Sequence, residues 1–430
     1  MADRMEPSML KDDARPRVPP WIWPAGLGGL VLVALWPIAL GEFVTWDDYD
    51  TIARNPLYDP PTLRSYIRHW TTLDQMHLYI PITYSLWHVL AMFAWQPEPN
   101  ALGLNLSGQV FSAMNLLVHI GATVLCYLVI RRLIETATEL PADRQTRDRV
   151  GIALPAALGA AVFAVHPIQV ESLGWISGMK DVLSTALMLL TLWLHLQIRG
   201  RAGMRYFRDP RFAAMVVCGI AAMLSKPTAV VLPAMILTIE WICDRCMTRR
   251  ALLRGAVLAP ASIVVALITR SVQNPKFETP VNVDLWQRPI VALDALGWYL
   301  SKLFVPLNLA PDYTRPPRAV MGSSDIYWTW LLPAGVLVVA WLLRKRLPLL
   351  PGAAMLAVIP LLPGPGFVRF DFQSYATGSD HYAYPAMIGV GLAVGGVWAR
   401  PAGGRWGGGG AVGPAAIGWF QGRRGGEGRG

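Results

Sequence analysis

Two adjacent carboxylates follow the first long apolar segment of the chain. Asp47 and Asp48 come shortly after the run Trp21–Gly41, where a membrane helix would reach water. Charge beside lipid is costly, so it is commonly retained for proton, ion or substrate chemistry. The pair can supply a general base, but acids also cap the starts of helices, and an acidic cap in a solvated loop fits the pattern too.

A histidine and a glutamate follow another apolar run. His166 precedes Pro167, which forces it out of helical geometry, and Glu171 lies a few residues further along. The two side chains can bind a metal or a polar substrate group. An ordinary turn beside the interfacial Trp175 explains them equally well.

Further ionic residues flank apolar runs in the second half of the chain. Lys180 and Asp181 precede one run, and Lys226 lies between two short runs. A lysine can hold a phosphate as a point charge, or it can extend to lipid headgroups without further function. Asp380 and His381 lie in an aromatic segment that also fits a belt at the lipid–water boundary.

The composition defines the class of protein that must position these residues. Of 430 residues, 53% are hydrophobic and 15% are charged, whereas a soluble domain has roughly 25% charged residues. Repeated long apolar runs predict an all-α polytopic membrane protein with the lipid bilayer as its partner. The net charge of +10 comes from Lys and Arg clusters between the runs, which indicates cytoplasmic loops and argues against a nucleic-acid partner.

The basic clusters predict the topology. The tail of residues 1–20 is expected in the cytoplasm, the first outer loop at residues 43–103, the membrane domain at 21–398 and a Gly/Arg-rich disordered tail at 399–430. Surface-lying helices are expected at Ile80–Trp95 and Ala292–Leu307. About ten crossings are predicted: Trp21–Gly41, Leu104–Ile130, Ile152–Val165, Val182–Gln197, Phe212–Leu224, Thr228–Ile242, Ala256–Ile268, Tyr327–Leu343, Leu347–Leu362 and Ala383–Trp398.

This topology gathers the ionic motifs on one side of the membrane. Asp47 and Asp48, the segment from His166 to Glu171, Lys226, and the segment from Asp371 to His381 all fall on the non-cytoplasmic face. Charges are rare near the middle of the predicted helices. We therefore expect an active site at the outer membrane boundary rather than a translocation path.

Several segments resemble one known family. The stretch from His166 to Ser184 is similar to the second outer loop of the transmembrane O-mannosyltransferases that carry TPR tails, and of their bacterial relatives. The likeness extends in order from about Phe43 to Gly391. Four further segments match: Trp46–Asp48, Asn115–His119, Leu224–Pro227 and Tyr299–Pro306.

The resemblance implies a GT-C glycosyltransferase fold and an inverting transfer of a mannose-like sugar. The donor would be a polyprenyl-phosphate sugar, and the acceptor a hydroxyl of a protein or glycan at the periplasmic face of a bacterial inner membrane. The family's catalytic acids fall on Asp47 and Asp48. Residues implied in binding of donor phosphate or substrate are His166, Glu171, Lys180, Asp181, Lys226, Asp380 and His381.

The sequence also departs from the family pattern. Gln169, Pro227 and His381 stand where relatives usually have His, Glu and Arg, and these 430 residues contain no TPR segment. A divalent metal (Mg or Mn) held by Asp47 and Glu171 is compatible with the resemblance but not required by it. A transporter or lipid-sugar flippase, and a catalytically degenerate membrane scaffold, are the alternatives.

Overall fold

Every regular element in the described part of the chain is helical. The computed structural model describes residues 19–73, 75, 77–137, 149–273, 283–364 and 376–399. Within these ranges six helices are long and apolar enough to cross a membrane: Ile22–Leu40, Gly108–Ala137, Ile176–Ile198, Pro227–Asp244, Arg249–Val272 and Ser324–Leu343. The prediction of a helical multi-pass membrane protein is confirmed.

A bent pair gives a seventh candidate span. Gly151–Val165 and Pro167–Gly174 meet at an angle of 48°, where Pro167 interrupts the helix. Shorter apolar helices at Pro210–Ser225, Leu350–Leu361 and Met387–Trp398 coincide with the remaining predicted crossings.

The α-helices are numbered in chain order. The first nine are α1 (Ile22–Leu35), α2 (Leu63–Thr71), α3 (Pro81–Ala94), α4 (Gly108–Ala137), α5 (Arg149–Val165), α6 (Val170–Gly174), α7 (Met179–Ile198), α8 (Met204–Phe207) and α9 (Pro210–Ser225). The others are α10 (Leu232–Asp244), α11 (Arg249–Ala256), α12 (Ala259–Val272), α13 (Arg288–Phe304), α14 (Pro317–Met321), α15 (Leu331–Leu343), α16 (Leu350–Val358) and α17 (Met387–Trp398). Helices α3 and α13 lie where surface-lying helices are predicted.

Two of the candidate spans present an apolar surface to their surroundings. Val33 of α1 is 80% exposed and Trp341 of α15 is 60% exposed, and both helices carry further exposed apolar side chains. Such a surface is unfavourable in water but matches the hydrocarbon of a bilayer. The surface chemistry of these helices therefore agrees with a membrane environment.

Glycines bring α5 and α17 into close contact at the centre of the bundle. A Cβ atom on Gly159 would lie 2.2 Å from the carbonyl oxygen of Gly391, and one on Gly395 would lie 3.0 Å from that of Pro155. Small residues allow membrane helices to approach each other closely, which increases van der Waals contact. The main core cluster, which includes Ile130, surrounds this crossing.

A buried ionic cluster joins α7, α10 and α11 beside the arginine-rich loops. The Glu240 carboxylate lies 2.9 Å from Nε2 of His195 and accepts a hydrogen bond of 3.0 Å from Arg254. Arg199 lies 3.7 Å from the same carboxylate, and Tyr206 lies 2.9 Å from Nδ1 of His195. The sequence analysis assigned only basic clusters to this end of the molecule.

Some predictions concern residues outside the described ranges. The N-terminal tail lies outside except for Pro19 and Pro20, and the glycine-rich tail except for Ala399. Asp371 also lies outside the described residues.

Candidate active site

The two adjacent acids that follow the first candidate span, Ile22–Leu40, have different environments. The Asp47 side chain is 57% exposed, and its carboxylate lies 3.9 Å from Nζ of Lys180 in the first turn of α7. The same ammonium group lies 4.8 Å from the centre of the Trp175 ring. Asp47 is thus an accessible carboxylate beside a cation.

Asp48 is fully buried and its carboxylate binds backbone. It accepts hydrogen bonds from the N–H groups of Val44 at 3.1 Å, Ile176 at 3.3 Å and Ser177 at 2.7 Å. Burial raises the pKa of Asp48, while the hydrogen bonds from Ser177, Val44 and Ile176 oppose that shift. Asp48 therefore joins the segment after the first candidate span to the segment that precedes α7.

Lys226 lies at the break between α9 and α10. Its ammonium group forms a buried ion pair with Asp181 and lies 4.4 Å from the centre of the Tyr382 ring. The neighbouring Ser225 carbonyl accepts a hydrogen bond of 2.9 Å from Thr83 of α3. The lysine that the sequence places between two short apolar runs thus contacts two distant parts of the chain, and a third part binds its neighbour Ser225.

Glu171 organises the segment before α17. One carboxylate oxygen accepts a hydrogen bond of 3.0 Å from the Ser379 hydroxyl, and the other accepts one of 2.8 Å from the backbone N–H of His381. The His381 ring nitrogen Nδ1 lies 2.9 Å from Glu171 and 2.8 Å from Ser379. Burial, followed by the nearby Lys226 charge, lowers the pKa of His381 to about 3, so this ring is neutral at physiological pH.

Asp380 lies beside Tyr313, which belongs to the segment between α13 and α14. The Tyr313 hydroxyl lies 2.9 Å from both of its carboxylate oxygens. Burial raises the pKa of Asp380 to about 7; the hydrogen bond from Tyr313 opposes this shift, and the Glu171 charge adds to it. Asp380 therefore changes its charge near neutral pH.

These pairs form one electrostatic cluster. Lys226 interacts with the charges of Asp181, Lys180 and Glu171, and His381 lies within the field of Asp47 as well. Asp47 at the exposed end is linked to Lys226 at the buried end through Lys180 and its neighbour Asp181. The arrangement combines an accessible base with two cations that can neutralise an anion.

His166 does not contact the Glu171 carboxylate in the described structure. Its Nδ1 atom accepts the backbone N–H of Ile168 at 3.3 Å, and the Leu303 carbonyl lies within hydrogen-bond reach of the ring. His166 therefore caps the 3-10 turn Pro167–Gln169 that precedes α6.

The described residues contain no group of three His, Cys, Asp or Glu side chains arranged to hold a metal. Both oxygens of Glu171 already accept hydrogen bonds from Ser379 or His381. Glu171 thus binds Ser379 and His381, whereas Asp47 lies beside Lys180.

Two buried polar residues of α4 bind segments that lie next to the residues of the ionic cluster. Asn115 donates to the carbonyl oxygens of Leu173 at 3.3 Å and Trp175 at 3.2 Å. One turn further, Nδ1 of His119 lies 2.6 Å from the Tyr384 hydroxyl. The sequence analysis noted this segment only for its family likeness; the signal was the spacing of four residues, which puts both side chains on one helix face.

Comparison of the chain with protein-family models, with curated proteins and with solved structures gives no match. The chemistry that the cluster can perform therefore decides the function that we propose.

Proposed function

We propose that this protein is a membrane glycosyltransferase that moves a mannose-like sugar from a polyprenyl-phosphate donor to a hydroxyl acceptor. The observation that carries the proposal is the contact between the exposed carboxylate of Asp47 and Lys180, continued by the ion pair of Asp181 with Lys226. A base for the acceptor and cations for a departing phosphate lie side by side at the ends of apolar helices. The family resemblance points to the same chemistry.

The proposed topology has ten crossings. The six long helices, the bent pair and the three shorter apolar helices each cross the membrane, and α3 and α13 lie in the outer boundary. The N-terminus is cytoplasmic, because the basic loops stay inside. In a bacterial inner membrane the cluster then faces the periplasm.

In the proposed reaction Asp47 acts as the general base. Its carboxylate takes the proton from the acceptor hydroxyl as the oxygen attacks the anomeric carbon. The new carbon–oxygen bond forms while the bond to the donor phosphate breaks, so a single displacement inverts the configuration. A positioned carboxylate of this kind contributes about 10² to 10⁴ in rate.

The departing polyprenyl phosphate gains negative charge that the protein has to stabilise. Lys226 and Lys180 are the cations nearest the cluster centre, and fixed charges in a partly buried site stabilise a developing anion effectively. The donor phosphate competes with Asp181 for Lys226. Asp48 and Glu171 act as positioning residues, because their carboxylates bind backbone and neighbouring side chains.

No step of this mechanism uses a metal. The proton and phosphate steps are assigned to Asp47, Lys180 and Lys226, while Glu171 binds Ser379 and His381. The requirement for Mg²⁺ or Mn²⁺ stays a prediction.

The test is transfer of labelled sugar from polyprenyl-phosphate mannose to membrane acceptors in proteoliposomes. We expect Asp47→Asn to reduce the rate at least about 100-fold, the lower end of a general base's contribution. Asp50→Asn is the matched control, because Asp50 is an exposed acid three residues away. Wild-type rates in Asp47→Asn would remove the proposed base.

The same proteoliposomes separate the alternatives. A flippase would move the labelled donor across the bilayer without sugar transfer, and a degenerate scaffold would bind the donor without turnover. Either result in the wild-type protein would contradict the enzyme proposal.

A further inference from the structure

The short helix α2 in the first outer loop has an exposed apolar face. Leu63 is 75% exposed, Ile67 50% and Trp70 39%, and their spacing of four and three residues puts them on one side of the helix. The buried residues Ser65 and His69 lie on the other side. An apolar stripe turned away from the protein core requires an apolar environment.

Helix α3 continues this face. Val89 is 44% exposed, Met92 65% and Phe93 77%. Nε1 of Trp70 donates a hydrogen bond of 2.9 Å to the hydroxyl of Ser85, which lies on the same side of α3 as Val89. The two stripes therefore form one apolar surface, which we call the α2–α3 surface: Leu63, Ile67, Trp70, Val89, Met92 and Phe93.

The ionised side chains of α2 and α3 themselves are arginines. Arg64 and Arg68 are exposed on the flank of α2, and neither forms an ion pair with another described residue. Helices α2 and α3 contain no Asp or Glu. Basic residues beside a tryptophan and aliphatic side chains are typical of helices that bind anionic lipid.

The position of α3 keeps this surface next to the membrane domain. Helix α3 packs against α4 and α9, and Thr83 is hydrogen-bonded to the last residue of α9. Val217 of α9 is 65% exposed, so apolar surface also occurs on the neighbouring candidate crossing. The α2–α3 surface therefore adjoins a helix with lipid-compatible chemistry.

We propose that the α2–α3 surface docks on anionic phospholipid of the outer leaflet. The apolar side chains enter the headgroup region, and Arg64 and Arg68 bind lipid phosphates. This inference is independent of the sugar-transfer proposal, since it uses neither the ionic cluster nor a donor. In this proposal, Arg64 and Arg68 make docking stronger on negatively charged lipid than on neutral lipid.

Spin labels in the 430-residue protein test the proposal. A nitroxide is attached at Ile67→Cys in liposomes of phosphatidylcholine with or without phosphatidylglycerol, with Cys218, Cys243 and Cys246 changed to Ser. Accessibility to oxygen, which enters lipid, is compared with accessibility to a water-soluble nickel complex. A label at Asn100→Cys is the water-exposed control.

We expect the label at residue 67 to prefer oxygen over nickel, and more so with phosphatidylglycerol. Each arginine near an anionic surface changes partitioning by about fivefold, so the double variant Arg64→Gln/Arg68→Gln should remove the difference between the two lipids. The accessibility measurement does not depend on sugar transfer, so the result of the Asp47→Asn assay does not change its interpretation.

Three outcomes would overturn the proposal. One is nickel accessibility equal to that of the label at residue 100 in both lipids. Another is oxygen preference that neither phosphatidylglycerol nor the arginine variant changes. The third is protection from both reagents with short distances between labels on two molecules, which would assign the surface to a second copy of the chain.

Discussion

At the scale of single residues, the adjacent acids Asp47 and Asp48 have different environments and different proposed roles. Asp47 is exposed and lies beside Lys180, whereas Asp48 is buried and accepts three backbone hydrogen bonds. Residues next to each other in the chain point in different directions, so one can meet solvent while the other binds the interior. Kinetic and stability measurements should separate the two roles.

We predict that Asp48→Asn destabilises the protein, whereas Asp47→Asn does not. In the Asp48→Asn variant the side-chain amide would direct an NH₂ group at backbone N–H donors, and an unsatisfied buried group costs about 1–3 kcal/mol. Thermal unfolding in detergent should show a lower midpoint for Asp48→Asn and an unchanged midpoint for Asp47→Asn. Equal midpoints for both variants would contradict the positioning role of Asp48.

We predict that donor binding weakens as the pH rises through about 7. Burial raises the pKa of Asp380 to about 7, so its carboxyl is neutral below that pH and negative above it. A new negative charge near a bound phosphate weakens binding by roughly fivefold at a separation of about 10 Å in a partly solvated site. The measurement is KM for the donor between about pH 6 and pH 8.5, a range that brackets the titration.

The control for this pH effect is Asp380→Asn, which keeps the side-chain size and removes the titrating group. Its KM should vary less with pH than that of the wild type across the same range. A wild-type KM that varies no more than that of Asp380→Asn would show that Asp380 does not affect the donor.

The sequence alone predicts the types of residue in the cluster but not their division of labour. The positions of Asp47, Glu171 and Lys226 at the ends of apolar runs can be deduced from patterns of hydropathy and charge. The burial of Asp48 depends on distant backbone N–H groups, at Ile176 (128 residues away) and Ser177 (129 residues away). Local patterns contain no information on such contacts.

At the scale of elements, the crossing of α5 and α17 requires glycine, whose side chain is a single hydrogen atom. Gly159 of α5 lies so close to the Gly391 carbonyl of α17 that a methyl group has no room. Gly121 of α4, by contrast, has no atom within 4 Å of the position that a Cβ would take. The two helical glycines form a matched pair.

We predict that Gly159→Ala destabilises the bundle and that Gly121→Ala does not. Overpacking typically costs about 1–3 kcal/mol, because the backbones of α5 and α17 have to separate. Thermal unfolding in detergent checks this, with Gly121→Ala as the control for helix propensity. A midpoint for Gly159→Ala as high as that of Gly121→Ala would mean that the helices separate without cost.

The existence and order of the long apolar helices were accessible from the sequence. The apolar run Leu104–Ile130 predicts α4. The helix extends beyond the end of that run, through Arg131 and Arg132, to Ala137. The break at Lys226 follows from Pro227. The short helix α2 was not predicted, since its apolar residues are too few to stand out.

At the scale of the whole molecule, the proposed topology separates two sets of loops. The first outer loop and the ionic cluster lie on one side, and the loop after α10 lies on the other. The native Cys246 is exposed in that loop, and Asn100 is exposed in the first outer loop.

We predict that a membrane-impermeant maleimide labels Asn100→Cys in intact cells. Cys246 should react only after the membrane is permeabilised, because the bilayer shields the cytoplasmic side. Mass spectrometry of the labelled peptides identifies the site. Labelling of Cys246 in intact cells would place both loops on one side and end the ten-crossing topology.

Charge counting gives the sidedness of loops, but it cannot predict contacts between loops. The hydrogen bond from Thr83 to Ser225 joins segments 142 residues apart. The buried cluster around Glu240 likewise depends on side chains from three helices. The sequence analysis could not have paired them, because they lie on three separate helices and local patterns contain no information on contacts between helices.

Helix α7 carries polar residues at both of its ends. Lys180 and Asp181 lie in its first turn, and His195, which contacts Glu240, lies in its last. The stretch from Lys180 to His195 spans about 22 Å of helix. Helix α7 is thus held in place at both of its ends. Loss of the contact between His195 and Glu240 would allow the whole helix to shift, and the Lys180 ammonium group would then move relative to Asp47.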